Sequence, residues 1–312
     1  MSVDEFVSEL SALADATGRR ELHPIIDGLS RPIRVRPVGR PGVGLRTLAA
    51  GLRAAGLTVV DTGADVDVLV IAETAKPEDC RITATADGPI VVALNKADLL
   101  GAAVPGHVEM VRRITGVPVI PVSGLLAIAT LDDELVAAIG ALAIEPADLS
   151  SIDAFCTAPH SVAAATRARL LDVADLCGTA AAIAAVRAGA DGRALTAVLR
   201  RASNIDALAA GVRAAAAPLR YRRLGDSMTR LRALAAGTAD PRLDATLTGD
   251  TAVRAAMEAA AEVLRADGMD TGADDPLRRA VRWQRYSRGP VNALHRRCGA
   301  DIARGALRSG AW

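Results

Sequence analysis

Near residue 146 the hydrophobic period of this chain changes, and that change limits the architectures open to it more than any other property. Upstream, short apolar runs at 33–38, 57–60, 66–72, 90–94 and 117–122 alternate with helical stretches at 45–55, 107–114 and 125–143 and with a short helix or loop at 76–86. Runs of that length, apolar on both faces and separated by helices, predict a mostly parallel sheet covered by helices. Downstream the strand signals stop. Helical spacing covers 161–176, 179–188, 193–201, 205–217, 218–236, 251–266, 276–286 and 290–307, with Asp191, Asn204 and Asp250 as N-caps and Gly189, Gly237 and Gly268 as stops. Residues 1–30 read as one amphipathic helix carrying Phe6, Leu10 and Leu13 on a face, broken at Pro24. The expected organisation is an N-terminal helical extension (1–30), an α/β domain (31–145) and an all-α domain (146–312) that opens on a linker at 146–159.

Composition sets the kind of core. Hydrophobic residues make up 51% of the chain, but 66 of its residues are alanine and only 2% are aromatic, so its helices must approach closely on small side chains. The formal net charge is +1, too weak a field for a nucleic-acid binder. The charge is unevenly placed: residues 1–30 hold six acids against two arginines, and 275–312 hold nine arginines against two aspartates. Of 37 basic residues only Lys76 and Lys96 are lysine, which makes each lysine a position to question. Cys80, Cys156, Cys177 and Cys298 form no C-x-x-C and read as reduced, mostly buried thiols. The acidic N-terminus and the short apolar runs predict a soluble, cytoplasmic protein.

Three turns carry chemistry. Gly39-Arg40-Pro41-Gly42-Val43-Gly44-Leu45-Arg46-Thr47 follows a predicted strand and opens a predicted helix, where glycine-rich backbone can offer N–H groups to a phosphate. A full phosphate loop, G-x-x-x-x-G-K-[ST], also needs a lysine and a Mg²⁺-binding hydroxyl. Gly39 and Gly44 fit, but Leu45 and Arg46 occupy those two places. A shift of one residue makes Arg46 and Thr47 the pair and displaces both glycines, so the unshifted register is preferred. Asn95-Lys96-Ala97-Asp98 ends the most apolar strand. A carboxylate there accepts two parallel hydrogen bonds from the N1–H and amino group of guanine, a lysine stem lies over the base, and an asparagine ties the loop together. Pro121-Val122-Ser123-Gly124 ends the next strand, where a backbone N–H can meet the guanine O6.

Together these turns resemble the first, fourth and fifth signature loops of the translation-factor-like class of P-loop GTPases. The phrases VALNKADLL and PVSGLLA, and the helical stretch that begins ATRARLLDVADLCG, resemble the dynamin-like GTPases of actinobacteria over roughly residues 31–235. The resemblance implies a G-domain-like sheet followed by helices, a guanine site at Asn95, Lys96, Asp98 and Ser123, GTP or GDP as ligand, and a paired GTPase as partner. Two departures stand against catalysis. The lysine and hydroxyl are missing, and only fifty positions separate Leu45 from Asn95, room for about two strands and two helices and not for switch loops. Asp61-Thr62-Gly63-Ala64 is at most a relic of a D-x-x-G turn.

The bland alternatives are a plain βα turn at 39–44, an N-cap at Asp98 and a helix cap at Ser123. His23, His107, His160 and His295 are scattered and read as solvated or capping. Arg278, Arg279, Arg282 and Arg285, with Trp283 among them, read as a solvated helix face or, in the minority reading, as a contact for an acidic partner or an anionic membrane surface. The expected function is that of a pseudo-GTPase regulating or scaffolding a competent dynamin-like GTPase, or self-associating, with residual guanine-nucleotide binding and no Mg²⁺ held by the protein. One rival is a slow GTPase using Arg40 or Arg46 in place of lysine. The other is a helical scaffold or membrane-surface adaptor that binds no nucleotide.

Overall fold

A computed structural model describes residues 2–272 and 275–309. In chain order the first elements are α1 (Ser2–Thr17) and α2 (His23–Ser30), joined by a 3₁₀ turn, in place of the single helix expected. Pro24 does not break a helix; it sits in the first turn of α2, where its missing N–H costs nothing. The sheet and its helices follow: β1 (Arg34–Val38), α3 (Leu45–Ala54), β2 (Thr58–Val59), β3 (Val66–Ala72), α4 (Pro77–Ala84), β4 (Ile90–Asn95), a 3₁₀ segment (Ala97–Ala103), α5 (Val104–Thr115) and β5 (Val119–Pro121). Among the described residues eleven helices come after them: α6 (Gly124–Ala127), α7 (Asp133–Ile144), α8 (Ile152–Thr157), α9 (Ala164–Arg187), α10 (Gly192–Ser203), α11 (Ile205–Ala215), α12 (Ala217–Thr238), α13 (Pro241–Thr248), α14 (Asp250–Ala266), α15 (Pro276–Arg288) and α16 (Ala293–Ser309).

The chain divides into two compact units: residues 33–212, and residues 1–32 together with 213–312. The division differs from the expected one. Residues 146–212 group with the sheet because Phe155, Leu170, Ile183, Leu195 and Leu199 pack on Leu135, Ile139 and Leu142 of α7. The N-terminal helices group with the C-terminal ones because Phe6, Leu10 and Leu22 pack on Leu224, Leu231 and Leu243.

In the first unit all five strands are parallel, in the order β2-β1-β3-β4-β5. β3 and β4 are central and apolar on both faces, and Leu69, Ile71, Val92 and Leu94 form a core with Val111 of α5. β1 is less apolar than expected. Its Arg36 stands beside Asp67 of β3 in register and donates to both carboxylate oxygens, at 2.9 and 2.8 Å. The predicted helix 125–143 is two helices, because Asp132 accepts from the Leu135 N–H at 2.9 Å and starts α7 afresh. The two helices expected over 161–188 are one, α9, interrupted at Asp175 (φ 53°, ψ −179°). The expected linker at 146–159 carries α8, capped by Ser151. Asn204 ends α10 in the left-handed conformation (φ 56°) and directly precedes α11, where its carbonyl, not its side chain, accepts from Leu208 N–H at 3.3 Å.

In the second unit Ala217, Ala260, Ala261, Leu264 and Ile302 surround Trp283 and Cys298. Small residues set the helix spacing here: a Cβ added to Gly305 of α16 would meet the Cβ of Met257 on α14 at 2.6 Å. α13 lies where no helix was expected, started by Asp240 and Pro241. α12 runs through Gly237 to Thr238 and turns out at Ala239 (φ 49°). Asp250 falls inside α14, whose N-cap is Gly249. Of the four thiols only Cys298 is buried; Cys80 and Cys156 are half-buried and Cys177 is exposed. Among the described residues no helix is long and apolar enough to cross a membrane.

Candidate functional site

The chain leaves β1 for β2 on one side and passes to β3 on the other. Ligands of open parallel sheets bind outside the carboxyl ends of the strands at such a reversal. The three turns singled out from the sequence meet at that end of the sheet, and one side chain joins them. Asn95, the last residue of β4 and 3% exposed, donates through Nδ2 to the Val43 carbonyl at 2.8 Å. Its Oδ1 accepts from the Gly124 N–H, also at 2.8 Å. The clasp requires Gly44, which has φ +90° and lies so close to the Asn95 amide that a Cβ would collide with it. Gly39 passes β3 closely, and a Cβ there would stand 2.6 Å from the Val70 carbonyl oxygen.

The exit of β5 is pinned from α10. Ser123 N–H donates to the Ser203 carbonyl at 3.0 Å, and Asn204 Nδ2 donates to the Pro121 carbonyl at 2.8 Å. Ser123 is the N-cap of α6, its hydroxyl accepting a long bond from Leu126 N–H at 3.5 Å. The helix-cap reading of Ser123 therefore holds for its hydroxyl.

Asp98 is not an N-cap. That position belongs to Lys96, exposed and left-handed (φ 59°), and Asp98 sits in the first turn after it. Its carboxyl group is half-buried and Oδ1 has no hydrogen-bond partner. Burial pushes its pKa above the ordinary carboxylate value; the Ser123 hydroxyl opposes the shift and the Asp175 carboxyl adds to it. The Cys177 thiol, on an exposed residue, is pushed up by partial desolvation and by the charges of Asp98 and Asp175. Asp175 is held in its unusual conformation with its own Oδ1 accepting from Leu176 N–H at 2.6 Å. Asp175, Asn204 and Ser203 are site neighbours that the sequence did not reveal.

The phosphate-loop residues are arranged less favourably for a charged ligand. Arg40 is committed: its Nε reaches both oxygens of Asp79 at 3.1 and 3.2 Å. Asp79 is fully buried and also accepts from the Lys76 N–H that opens α4. Arg46 is exposed, Thr47 is half-buried, and Gly42 forms an open tip with φ +86°. Leu45 and Gly39 line a cavity of about 790 Å³ that runs to 63–67 and 85–89 and that Asn95, Lys96, Asp98 and Ser123 do not line. The Asp61 to Ala64 turn, expected as a relic of D-x-x-G, reaches that cavity through Gly63 and Ala64. β2 pairs only with the start of β1, and Gly63 sits against Arg34 there, at the opposite end of the strand from the glycine loop.

The arginine face on α15 is only partly a face. Arg278, Arg282 and Arg285 are exposed and Arg279 is half-buried, but Trp283 is 1% exposed and belongs to the core. Arg282 lies over the Trp283 ring at 5.3 Å and donates to the Asp270 carbonyl at 2.8 Å. His295 is neither solvated nor a cap: it bridges Tyr286 Oη and Asp267 Oδ2, each at 2.6 Å, and so ties α15, α16 and the end of α14 together. No protein-family model matches this chain, and neither does any curated protein.

Proposed function

We propose that residues 33–212 are a degenerate G domain that keeps a guanine-facing loop scaffold and has lost the chemistry of phosphoryl transfer. In this reading the protein acts as a pseudo-GTPase beside a competent dynamin-like partner, or through self-association. The observation that carries the reading is the Asn95 clasp, which fixes the 39–44 turn and the 123–126 turn to the end of the central strand. It leaves Asp98, with an unpaired buried oxygen, beside the same loops. A buried carboxylate oxygen without a partner is costly, and the N–H donors of a guanine edge would satisfy it. Lys96 is free to lie over the base, and the first N–H groups of α3 are left to face a phosphate.

Loss of hydrolysis follows from charge placement. Leu45 brings no cation to the phosphates. Arg40 is held by a buried carboxylate, which argues against its serving as a lysine substitute, and Arg46 is exposed on the helix. Between the glycine loop and β4 stand α3, β2, β3 and α4, so the fifty residues are filled by two strands and two helices, and the D-x-x-G relic is at the wrong end of β1. The reading without nucleotide draws on one observation: Asp175 adds a like charge beside Asp98. Phosphate release from GTP with Mg²⁺ and the full chain tests the hydrolytic half of the proposal. Background turnover is expected; sustained release that Asp98→Ala abolishes would replace this reading with the slow GTPase.

A further inference from the structure

The second unit contains a feature that the nucleotide reading does not use. A cavity of about 930 Å³ lies among α12, α13, α14 and α16, within the size range of small-molecule sites. Its floor is apolar: Leu224 and Met228 of α12, Leu247 of α13 and Ala252, Val253 and Ala256 of α14. Small side chains on α14 make the groove, since alanine there leaves the space that a leucine would fill.

The walls carry both signs of charge, with arginine in excess. Arg222 and Arg232 project from α12, and Arg297, Arg304 and Arg308 from α16, against Asp226 and Asp301. Two of these arginines are neutralised within the fold: Arg304 pairs with Asp301 at 3.5 Å and Arg308 with Asp250 at 2.7 Å. Asp301 is further occupied by the Tyr221 hydroxyl at 2.6 Å, a bond that sets α12 at residue 221 against α16 at residue 301. Arg297 lies one turn before that contact and Arg222 directly beside it. Arg222, Arg232 and Arg297 make no hydrogen bond or ion pair among the described residues. Guanidinium groups present planar pairs of N–H donors that match phosphate oxygens, and they do so best next to low-dielectric walls.

We propose that this groove binds an amphiphilic phosphate ester, its apolar chain on the α14 floor and its phosphate between Arg222 and Arg297. Both halves of the ligand follow from the lining: an apolar floor alone would take a neutral hydrophobe, and unpaired arginines alone would take inorganic phosphate. The same chemistry is offered by a free phosphorylated amphiphile and by the headgroup of an anionic phospholipid.

The test is calorimetric titration of the full chain with dodecyl phosphate below its micelle-forming concentration, alongside inorganic phosphate and dodecanol. One saturable site is expected for dodecyl phosphate, at least tenfold tighter than for either fragment. Arg222→Ala and Arg297→Ala should each weaken it about tenfold or more, while Arg193→Ala, at an exposed position of α10, leaves it unchanged. Ala256→Phe, which fills the floor without changing charge, should weaken it as well. The arginine variants are exposed and keep the fold, so they decide the matter if Ala256→Phe does not fold. Sedimentation with phosphatidylcholine vesicles with and without phosphatidic acid separates the sources. Arginine-dependent capture by phosphatidic acid supports the site with a bilayer as its source, and dodecyl phosphate binding without capture supports it with a free amphiphile. Absence of a saturable site for dodecyl phosphate, or equal affinity in Arg222→Ala and Arg297→Ala, would overturn the proposal.

Discussion

Asp98→Asn should make this protein more stable at neutral pH, and the size of the gain can be worked from its surroundings. The carboxyl group is half-buried, its Oδ1 is unpaired, and Asp175 stands near it with a like charge. An unsatisfied buried acceptor costs about 1–3 kcal/mol. Because this group keeps one side toward solvent and has the Ser123 hydroxyl beside it, screening and that contact reduce the figure to about 1 kcal/mol. A gain of that size raises Tm by roughly 2–4 °C for a unit of this length. The pH dependence has a fixed sign. The unfolded chain releases the Asp98 proton at the ordinary value of 3.8 and the folded chain only at a higher pH. Ionisation of Asp98 therefore costs the folded state stability as pH rises through the folded value, and costs nothing below the unfolded one. Thermal unfolding of the wild type and Asp98→Asn from pH 3.5 to 7.5 measures this directly. The curves should coincide at the acid end and separate upward. A variant equal to or less stable than the wild type at pH 7 would refute the claim that Asp98 is held at a cost.

Two further substitutions probe the loop scaffold. Arg40→Ala strands the fully buried Asp79 carboxylate and should lower stability by about 3 kcal/mol, whereas Arg46→Ala, on an exposed side chain, should change it by no more than about 0.5 kcal/mol; chemical denaturation compares the two. Asn95→Ala removes partners from the Val43 carbonyl and the Gly124 N–H and should cost about 3 kcal/mol, with amide exchange accelerating at Gly124 and along the 39–44 turn before it does in β3.

The strands were legible because buried parallel strands are nearly continuous apolar runs, as 68–72 and 90–94 are. The role of Asn95 was legible too, since an amide at a strand end has few other uses. Asp132 and Asp240 each carried a cap signal that the apolar runs around them obscured, so α7 was read into α6 and α13 was missed. The burial of Trp283 is written in its spacing, with Ala280 and Ser287 on the same buried stripe, and the density of arginines around it hid the period. Other features are not local in sequence at all. Arg40 and Asp79 are 39 positions apart, and Asp175, beside Asp98, is 77 positions from it at the residue where α9 departs from helical geometry. The arginine groove needs one face each of α12 and α16 to converge, and no single helix announces that.

The central claim, that the 95–98 turn still faces guanine, is tested most directly by calorimetric titration of the full chain with GDP and with ADP, repeated for Asp98→Ala. The account predicts that GDP binds more tightly than ADP by at least about 2 kcal/mol, roughly thirtyfold, because the carboxylate makes two charge-assisted bonds to guanine that adenine does not offer. Asp98→Ala should abolish the difference. Equal affinity for the two nucleotides, or no binding of either at millimolar concentration, would contradict it and leave residues 95–98 as a structural turn.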